Sequence, residues 1–283
     1  MATDASAAAA GTVTIGGELK VNRLGFGAMR ITGVGIWGPP RDRDEARRVL
    51  RRAVELDVQF IDTADSYGPE VSEELIAEAL HPYPEGLVIA TKGGLVRGGP
   101  GDWRPDGRPE HLREALEGSL ARLRLEQIPL YQLHRPDSAV PFEESVGALV
   151  ELREEGKIRH IGLSNVSVGQ LRAARELTAV ASVQNRYNTE DRRSEDVLAL
   201  ADAMGFAFLP WAPVGGHEPG ADHALAGVAE RHGATPVQVA LAWQLSRSPQ
   251  VLPIPGTGSV AHLEENVAAG SLRLTAEDFA QLG

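Results

Sequence analysis

Residues 130–165 read LYQLHRPDSAVPFEESVGALVELREEGKIRHIGLSN, and this stretch decides the fold. It opens on an apolar run of strand length, Leu130 to His134. After a polar turn, Phe142 to Glu155 spaces its apolar residues at helical intervals. It closes on a second apolar run, His160 to Asn165. Strand, amphipathic helix, strand is the βαβ unit, because two parallel strands need a crossover between them.

The same rhythm extends in both directions. Apolar runs recur at LGFGAM (24–29), QFIDTA (59–64), LVIATK (87–92), SVQNRYN (182–188), AFLPWAP (207–213) and VLPIPGT (251–257), which with the first two makes eight. Helical periods lie between them at Asp44–Leu56, Glu110–Leu125, Val168–Leu177, Ser194–Met204 and Val260–Ala269. Two more follow Trp211, at about Ala224–His232 and Pro236–Ser246. Eight such units predict an α/β fold, a (β/α)8 TIM barrel. Thr12–Asn22 differs and predicts an N-terminal β-hairpin around Gly16-Gly17, covering the barrel floor. Residues 1–12 are expected as a disordered tail, 13–283 as one barrel domain, and the end of the chain as a short C-terminal tail. The glycine-rich stretch Gly93–Arg108 predicts a long loop after the third strand. An open doubly wound sheet is the alternative fold, but no GxGxxG follows the first run.

Composition narrows the function. Among 283 residues there is no cysteine, which excludes disulfides and thiolate chemistry. The formal net charge is −11, without a basic stripe, so nucleic acid is not an expected partner. No apolar run reaches the roughly 18 residues of a membrane span, and the start lacks a signal-peptide pattern, so a cytoplasmic location is expected. The histidines are scattered, with neither HxH nor HExxH, and no metal is expected. Nothing in the chain speaks to oligomeric state.

In a barrel, chemistry sits where strands end. The second run ends at Asp62, with Tyr67 five residues on; the third ends at Lys92, the fourth at His134. Later runs end in Ser164-Asn165 and Gln184-Asn185, and one carries Trp211. Strands lie about 4.8 Å apart, so an acid, a lysine and a histidine at matching ends would meet. A phenol could then protonate a carbonyl oxygen as hydride reaches the carbon. Its ordinary pKa near 10 must fall by two or three units to serve both directions, which takes roughly 3–4 kcal/mol. One ammonium at about 4 Å, at an effective dielectric near 20, provides about 4 kcal/mol. Asp62 would keep Lys92 charged and aimed, and His134 would orient the carbonyl.

At these residues the chain resembles the aldo-keto reductase family. The matching segments are FIDTADSYG, VIATK, YQLHRPD, GKIRHIGLSN, SVQNRYN, FLPWAP and IPGTGSVAHLEEN. The resemblance implies that Asp62, Tyr67, Lys92 and His134 are catalytic. It implies that Ser164, Asn165 and Gln184 hold the nicotinamide carboxamide and that Trp211 stacks on the nicotinamide, with Pro213, Val214 and Gly215 alongside. It places the adenosine phosphate along Ile254, Gly256, Thr257, Ser259, His262, Glu265 and Asn266. Two positions depart from the family pattern: Gly256 stands where lysine is common and His262 where arginine is usual. Backbone N–H groups of Gly256–Val260 can still cradle a phosphate. The cofactor implied is NADP(H), with NAD(H) as the alternative. The segments KVNRLGFGAMRITGVGIWGPPRDR and IPGTGSVAHLEENVAA are similar to bacterial pyridoxal reductases, which makes pyridoxal a candidate small-molecule substrate. The chain is expected to lack the long carboxy-terminal loop of mammalian members, so specificity is expected from Arg30–Arg43, Gly93–Arg108 and Val214–Pro219, with Trp37 and Trp103 as pocket walls.

Two other functions are open. Lys92 could be a Schiff-base nucleophile of a lyase or aldolase, although a neighbouring Asp62 raises the pKa such a lysine needs depressed. The chain could also be a cofactor-bound, redox-sensing regulatory module, a reading that the four residues at the strand ends oppose.

Overall fold

The computed structural model describes residues 5–215 and 223–283. In chain order, the strands begin with a hairpin, β1 (Thr12–Ile15) and β2 (Leu19–Asn22). There follow β3 (Phe26–Gly27), β4 (Phe60–Asp62) and β5 (Val88–Gly93), then a second hairpin, β6 (Leu95–Gly99) and β7 (Asp102–Pro105). The last four are β8 (Ile128–Leu133), β9 (Ile158–Ser164), β10 (Val180–Gln184) and β11 (Ala207–Phe208). Helices α1 (Arg43–Glu55), α2 (Val71–Leu80), α3 (Pro109–Leu123), α4 (Phe142–Glu154) and α5 (Val168–Leu177) cross over between strands. The rest are α6 (Glu195–Met204), α7 (His223–His232), α8 (Pro236–Arg247), α9 (Val260–Ala268) and α10 (Ala276–Leu282). A seven-stranded sheet runs β3-β4-β5-β8-β9-β10-β11, with every neighbouring pair parallel.

The eighth run closes the ring without becoming a regular strand. Phe208 makes an isolated parallel bridge to Val251, and the Leu252 N–H donates to the Phe208 carbonyl at 2.9 Å. On the other side, the N–H groups of Gly25 and Gly27 donate to the carbonyls of Pro253 and Pro255 at 2.9 and 3.3 Å. Proline has no N–H, so residues 253 and 255 can accept but not donate, and the full ladder cannot form.

Period-two alternation decides what points inward. On β5, Val88 and Ala90 join the interior cluster that also holds Phe60 and Leu130, and Ile89 faces the helical layer. Lys92, two residues beyond Ala90, therefore enters the interior. Phe60 and Asp62 on β4, and Leu130 and Gln132 on β8, follow the same parity. The β1–β2 hairpin packs Val13, Ile15 and Val21 into this interior cluster and so plugs the floor. Its turn runs through Gly16 and Gly17 at φ 61° and 81°. A Cβ at Gly16 would come 2.3 Å from the His160 ring.

Several local expectations change. From residue 5 onward the expected N-terminal tail is packed: Ala7–Ala10 form a 3-10 turn, Ala7 is fully buried, and its N–H donates to the Leu56 carbonyl at 2.8 Å. Alanines are small enough for the chain to lie this close to its neighbours. Residues 1–4 lie outside the described residues. The Gly93–Arg108 segment is the β6–β7 hairpin rather than an open loop. The end of the chain is helix α10, begun by a capping box between Thr275 and Asp278. Among the described residues, no helix is long and apolar enough to cross a membrane, and no group of three or more potential ligands could hold a metal ion.

Candidate active site

The C-terminal strand ends surround a cavity of about 780 Å³, within the roughly 300–1,000 Å³ typical of small-molecule sites. Of the side chains given a catalytic, cofactor or pocket role from the sequence, all line it except Lys92, Ser259 and Trp37. Lys92 lies beneath, wholly buried, with its ammonium donating to Asp62 Oδ2 at 2.6 Å, the Thr63 carbonyl at 2.8 Å and Tyr67 Oη at 3.3 Å. The imidazole of His134 stands across the phenol, ring centres 5.7 Å apart and nearly perpendicular. The four side chains expected to meet do meet.

Their charge states differ from the simplest expectation. Burial pushes the Tyr67 phenol above its ordinary value, and the nearby Lys92 ammonium only partly offsets this. The lysine is itself largely neutralised by Asp62, so the expected fall of the phenol does not occur and the proton stays on oxygen at neutral pH. Burial works to lower Lys92, but the Asp62 carboxylate and the Tyr67 hydroxyl outweigh it and hold the ammonium above its ordinary value. That direction is the reverse of what a Schiff-base nucleophile needs. Burial, then the Lys92 and Arg135 charges, hold His134 well below its ordinary value. The ring is therefore neutral. Its Nδ1 lies 3.3 Å from Ser66 Oγ; with the hydroxyl donating there, the ring proton sits on Nε2.

The residues expected to hold a carboxamide are braced internally. Asn165 adopts φ 60°, in the left-handed region that asparagine tolerates. Its Nδ2 donates to the His134 carbonyl and to Ser164 Oγ, both at 3.0 Å, and its Oδ1 accepts from Trp211 Nε1 at 3.1 Å. Asn165 thus fixes Trp211. Gln184 Nε2 donates to Asp62 Oδ1 at 2.7 Å, as does Gln132 Nε2 at 3.1 Å. Gln132 escapes notice in the sequence because one amide in an apolar run carries no chemical signal. Only the closed ring shows that it steadies Asp62.

At the far end of the cavity, a Cβ on Gly256 would fall 2.6 Å from the Gly27 carbonyl oxygen. This close crossing of two backbones explains why no lysine stands there. The Cγ of Arg30 lies 3.5 Å from the same point, and its exposed side chain lines the cavity. Among the described residues Arg30 has no hydrogen-bonded or ionic side-chain partner. The expected cradle of N–H groups is partly occupied. The Ser259 N–H donates to Thr257 Oγ1 at 3.1 Å, and the Val260 N–H, at the positive end of α9, donates to Glu45 Oε1 at 3.2 Å. Gly256, Thr257 and Gly258 keep their N–H groups free of partners among the described residues.

Trp103 lines the cavity, edge-on to Tyr67 at 6.3 Å and to His134 at 6.5 Å between ring centres. Trp37 does not. It forms an isolated parallel bridge with Gly68, and its ring lies 5.6 Å from the Arg97 guanidinium, outside the cavity. The Gly38 N–H also donates to the Gly68 carbonyl at 2.5 Å, holding the loop against the Tyr67 turn. Of the expected specificity loop Val214–Pro219, residues 216–219 lie outside the described residues.

A model of the aldo/keto reductase family matches residues 23–283. An uncharacterized oxidoreductase of Schizosaccharomyces pombe is 49% identical over 99% of this chain and 91% of its own length. Pyridoxine 4-dehydrogenase of Escherichia coli is 44% identical over 96% of each chain. A crystal structure of an aldo/keto reductase from Klebsiella pneumoniae, in complex with NADP and acetate, superposes with a TM-score of 0.80 at 26% identity, covering 96% of this chain and 93% of the other. With the strand-end quartet assembled in a (β/α)8 barrel and the match running to the last residue, the chain belongs to the aldo/keto reductase family.

Proposed function

We propose that this chain reduces aldehydes and ketones to alcohols, reversibly, with NADP(H) as its cofactor and Asp62, Tyr67, Lys92 and His134 as the residues that carry the reaction. One observation carries the reading: a buried ammonium, fixed by Asp62, lies 3.3 Å from the Tyr67 oxygen at the base of the cavity. The Tyr67 proton can pass to a carbonyl oxygen, and the phenolate left behind faces a cation already in place. His134, neutral, offers its Nε2–H to the same oxygen and fixes the carbonyl's direction. The proton ends on the alcohol, and Tyr67 recovers one from solvent.

The residues present fit a nicotinamide dinucleotide. The free N–H groups around Gly256 and the Arg30 guanidinium suit phosphates. At the other end, Gln184 lines the cavity with an Oε1 that accepts no hydrogen bond among the described residues, beside the Ser164 hydroxyl. When bound, the cofactor supplies the hydride that reaches the carbonyl carbon. NADP(H) is favoured over NAD(H) because the Klebsiella neighbour was crystallised with NADP and because Arg30 restores a charge near the position lacking lysine. Pyridoxal is the first substrate to try, given the Escherichia coli relative.

The experiment is NADPH oxidation with a carbonyl panel that includes pyridoxal, in wild type and Tyr67→Phe. Turnover should fall by about 10²–10⁴-fold in the variant, the usual worth of a positioned acid. NADPH affinity, read from the quenching of tryptophan fluorescence, should be unchanged. Undiminished turnover in Tyr67→Phe refutes the assignment.

A further inference from the structure

Arg97, on β6, takes no part in the chemistry above. Its guanidinium carries five N–H groups in a fixed plane, and each meets a backbone carbonyl. Nε donates to Asp102 at 3.1 Å. Nη1 donates to Ile36 at 2.9 Å and Ser66 at 3.1 Å, and Nη2 to Gly35 at 3.2 Å and Gly99 at 3.3 Å. The five carbonyls belong to three segments: the loop after β3, the turn that carries Tyr67, and the β6–β7 hairpin. One side chain thus ties together the loops that surround the phenol.

Two further features mark this as more than a surface tie. Ile36 sits at φ 58°, where a β-branched residue is found only when its surroundings impose it. The carbonyls of Gly35 and Ile36 are both held by Arg97. The guanidinium carbon also lies 3.5 Å from the centre of the Trp103 ring, covering one face of the indole. Ser66, whose carbonyl it holds, contacts His134 Nδ1 through its hydroxyl.

We infer that Arg97 is a positioning residue: it fixes Trp103 as a rigid wall before Tyr67 and His134, and so favours flat, ring-conjugated carbonyl substrates over puckered ones. The inference rests on the carbonyl-reductase reading above. The indole lines the cavity while the guanidinium lies over one of its faces, and its plane stands at 80° to Tyr67 and 68° to His134. A flat ring laid on such a wall keeps its conjugated carbonyl in its own plane, aimed between phenol and imidazole. A saturated ring cannot lie flat and loses the stacking contact. Because Arg97 holds the wall before substrate arrives, binding need not order it.

The probes are benzaldehyde and cyclohexanecarbaldehyde, which share a carbon count, and their two alcohols. The kcat/KM of each aldehyde is measured with NADPH in wild type, Arg97→Lys, Trp103→Leu and the double variant. Binding of benzyl alcohol and cyclohexylmethanol is followed by ligand-observed NMR, which needs no turnover. Lysine keeps the charge but can neither lie flat on indole nor serve five carbonyls. Each single variant should lower the flat-over-puckered preference by about fivefold, the worth of one aromatic stacking contact, in KM and Kd rather than kcat. Adding Arg97→Lys to Trp103→Leu should cause no further loss, because the arginine acts through that ring. An unchanged preference in Trp103→Leu, or losses that multiply in the double variant, overturns the inference and leaves carbonyl reduction standing. Failure of the wild type to reduce either aldehyde overturns the reductase reading instead, and the alcohol titrations then decide the role of Arg97.

Discussion

Replacing Lys92 with methionine removes an ammonium whose side chain is 0% exposed and strands the Asp62 carboxylate, 3% exposed, without a cation. At their 2.6 Å separation, an effective dielectric near 20 gives an attraction of about 6 kcal/mol. Desolvating each ion costs several kcal/mol, so the pair's net worth is small, but breaking it from one side costs about 3–5 kcal/mol. Methionine approximates the lost volume, and the Gln132 and Gln184 amides remain the side-chain donors to Asp62 Oδ1. Urea unfolding at pH 7 should show that loss in Lys92→Met, and Lys92→Met/Asp62→Asn should recover most of it. A loss under about 1 kcal/mol at pH 7 would match an exposed pair and refute the reasoning, as would a double variant no more stable than Lys92→Met.

Other outcomes follow from the same geometry. Because burial holds the Tyr67 phenol above its ordinary value, carbonyl reduction should stay flat from neutral pH to at least about pH 9, while alcohol oxidation climbs with pH; paired kcat/KM profiles check this. His134 is held well below its ordinary value, so the folded ring stays neutral while the unfolded chain takes up a proton near pH 6.5. The depressed group stabilises above that pH, and the unfolding free energy should fall by up to about 1.4 kcal/mol per pH unit below it; His134→Gln should flatten that limb in urea titrations at pH 7, 6 and 5. Arg30→Glu should weaken NADPH binding by at least about tenfold, with a shallower salt dependence, measured by fluorescence titration.

The barrel is legible in the sequence because alternating periods survive in nearly every unit, and the quartet because its polar residues break apolar runs at the same end. What escapes does so for identifiable reasons. Helix α2 buries Ser72 and Glu73, with Glu73 accepting from Thr91 at 2.5 Å and from Arg122 at 2.7 Å. Polar residues on the buried face blur its apolar stripe. The β6–β7 hairpin hides in glycine-rich sequence, and Arg97 looks like any solvated arginine until three distant loops converge on it. Tyr67 is misjudged for a different reason: the lysine is as close as expected, but burial of the phenol and the neutralising Asp62 are collective properties of the folded ring. The occupation of the Val260 N–H by Glu45 is likewise invisible before α1 and α9 are brought together.

The proline-interrupted segment at residues 251–255 gives the barrel a zip with teeth missing on one side. Pro253 and Pro255 accept from Gly25 and Gly27 at β3 but return no donor, so this joint lacks ladder bonds that two regular strands would share. Gly256, at the proposed phosphate cradle, is the next residue along the chain. Were the joint to open, the grip on a cofactor's far end would loosen with it, and a dinucleotide bound across the gap would act as a clasp. Amide hydrogens at Gly25, Gly27 and Leu252 should exchange ahead of those in β5 and β8 in the free protein, and should fall into step with them once the clasp is shut.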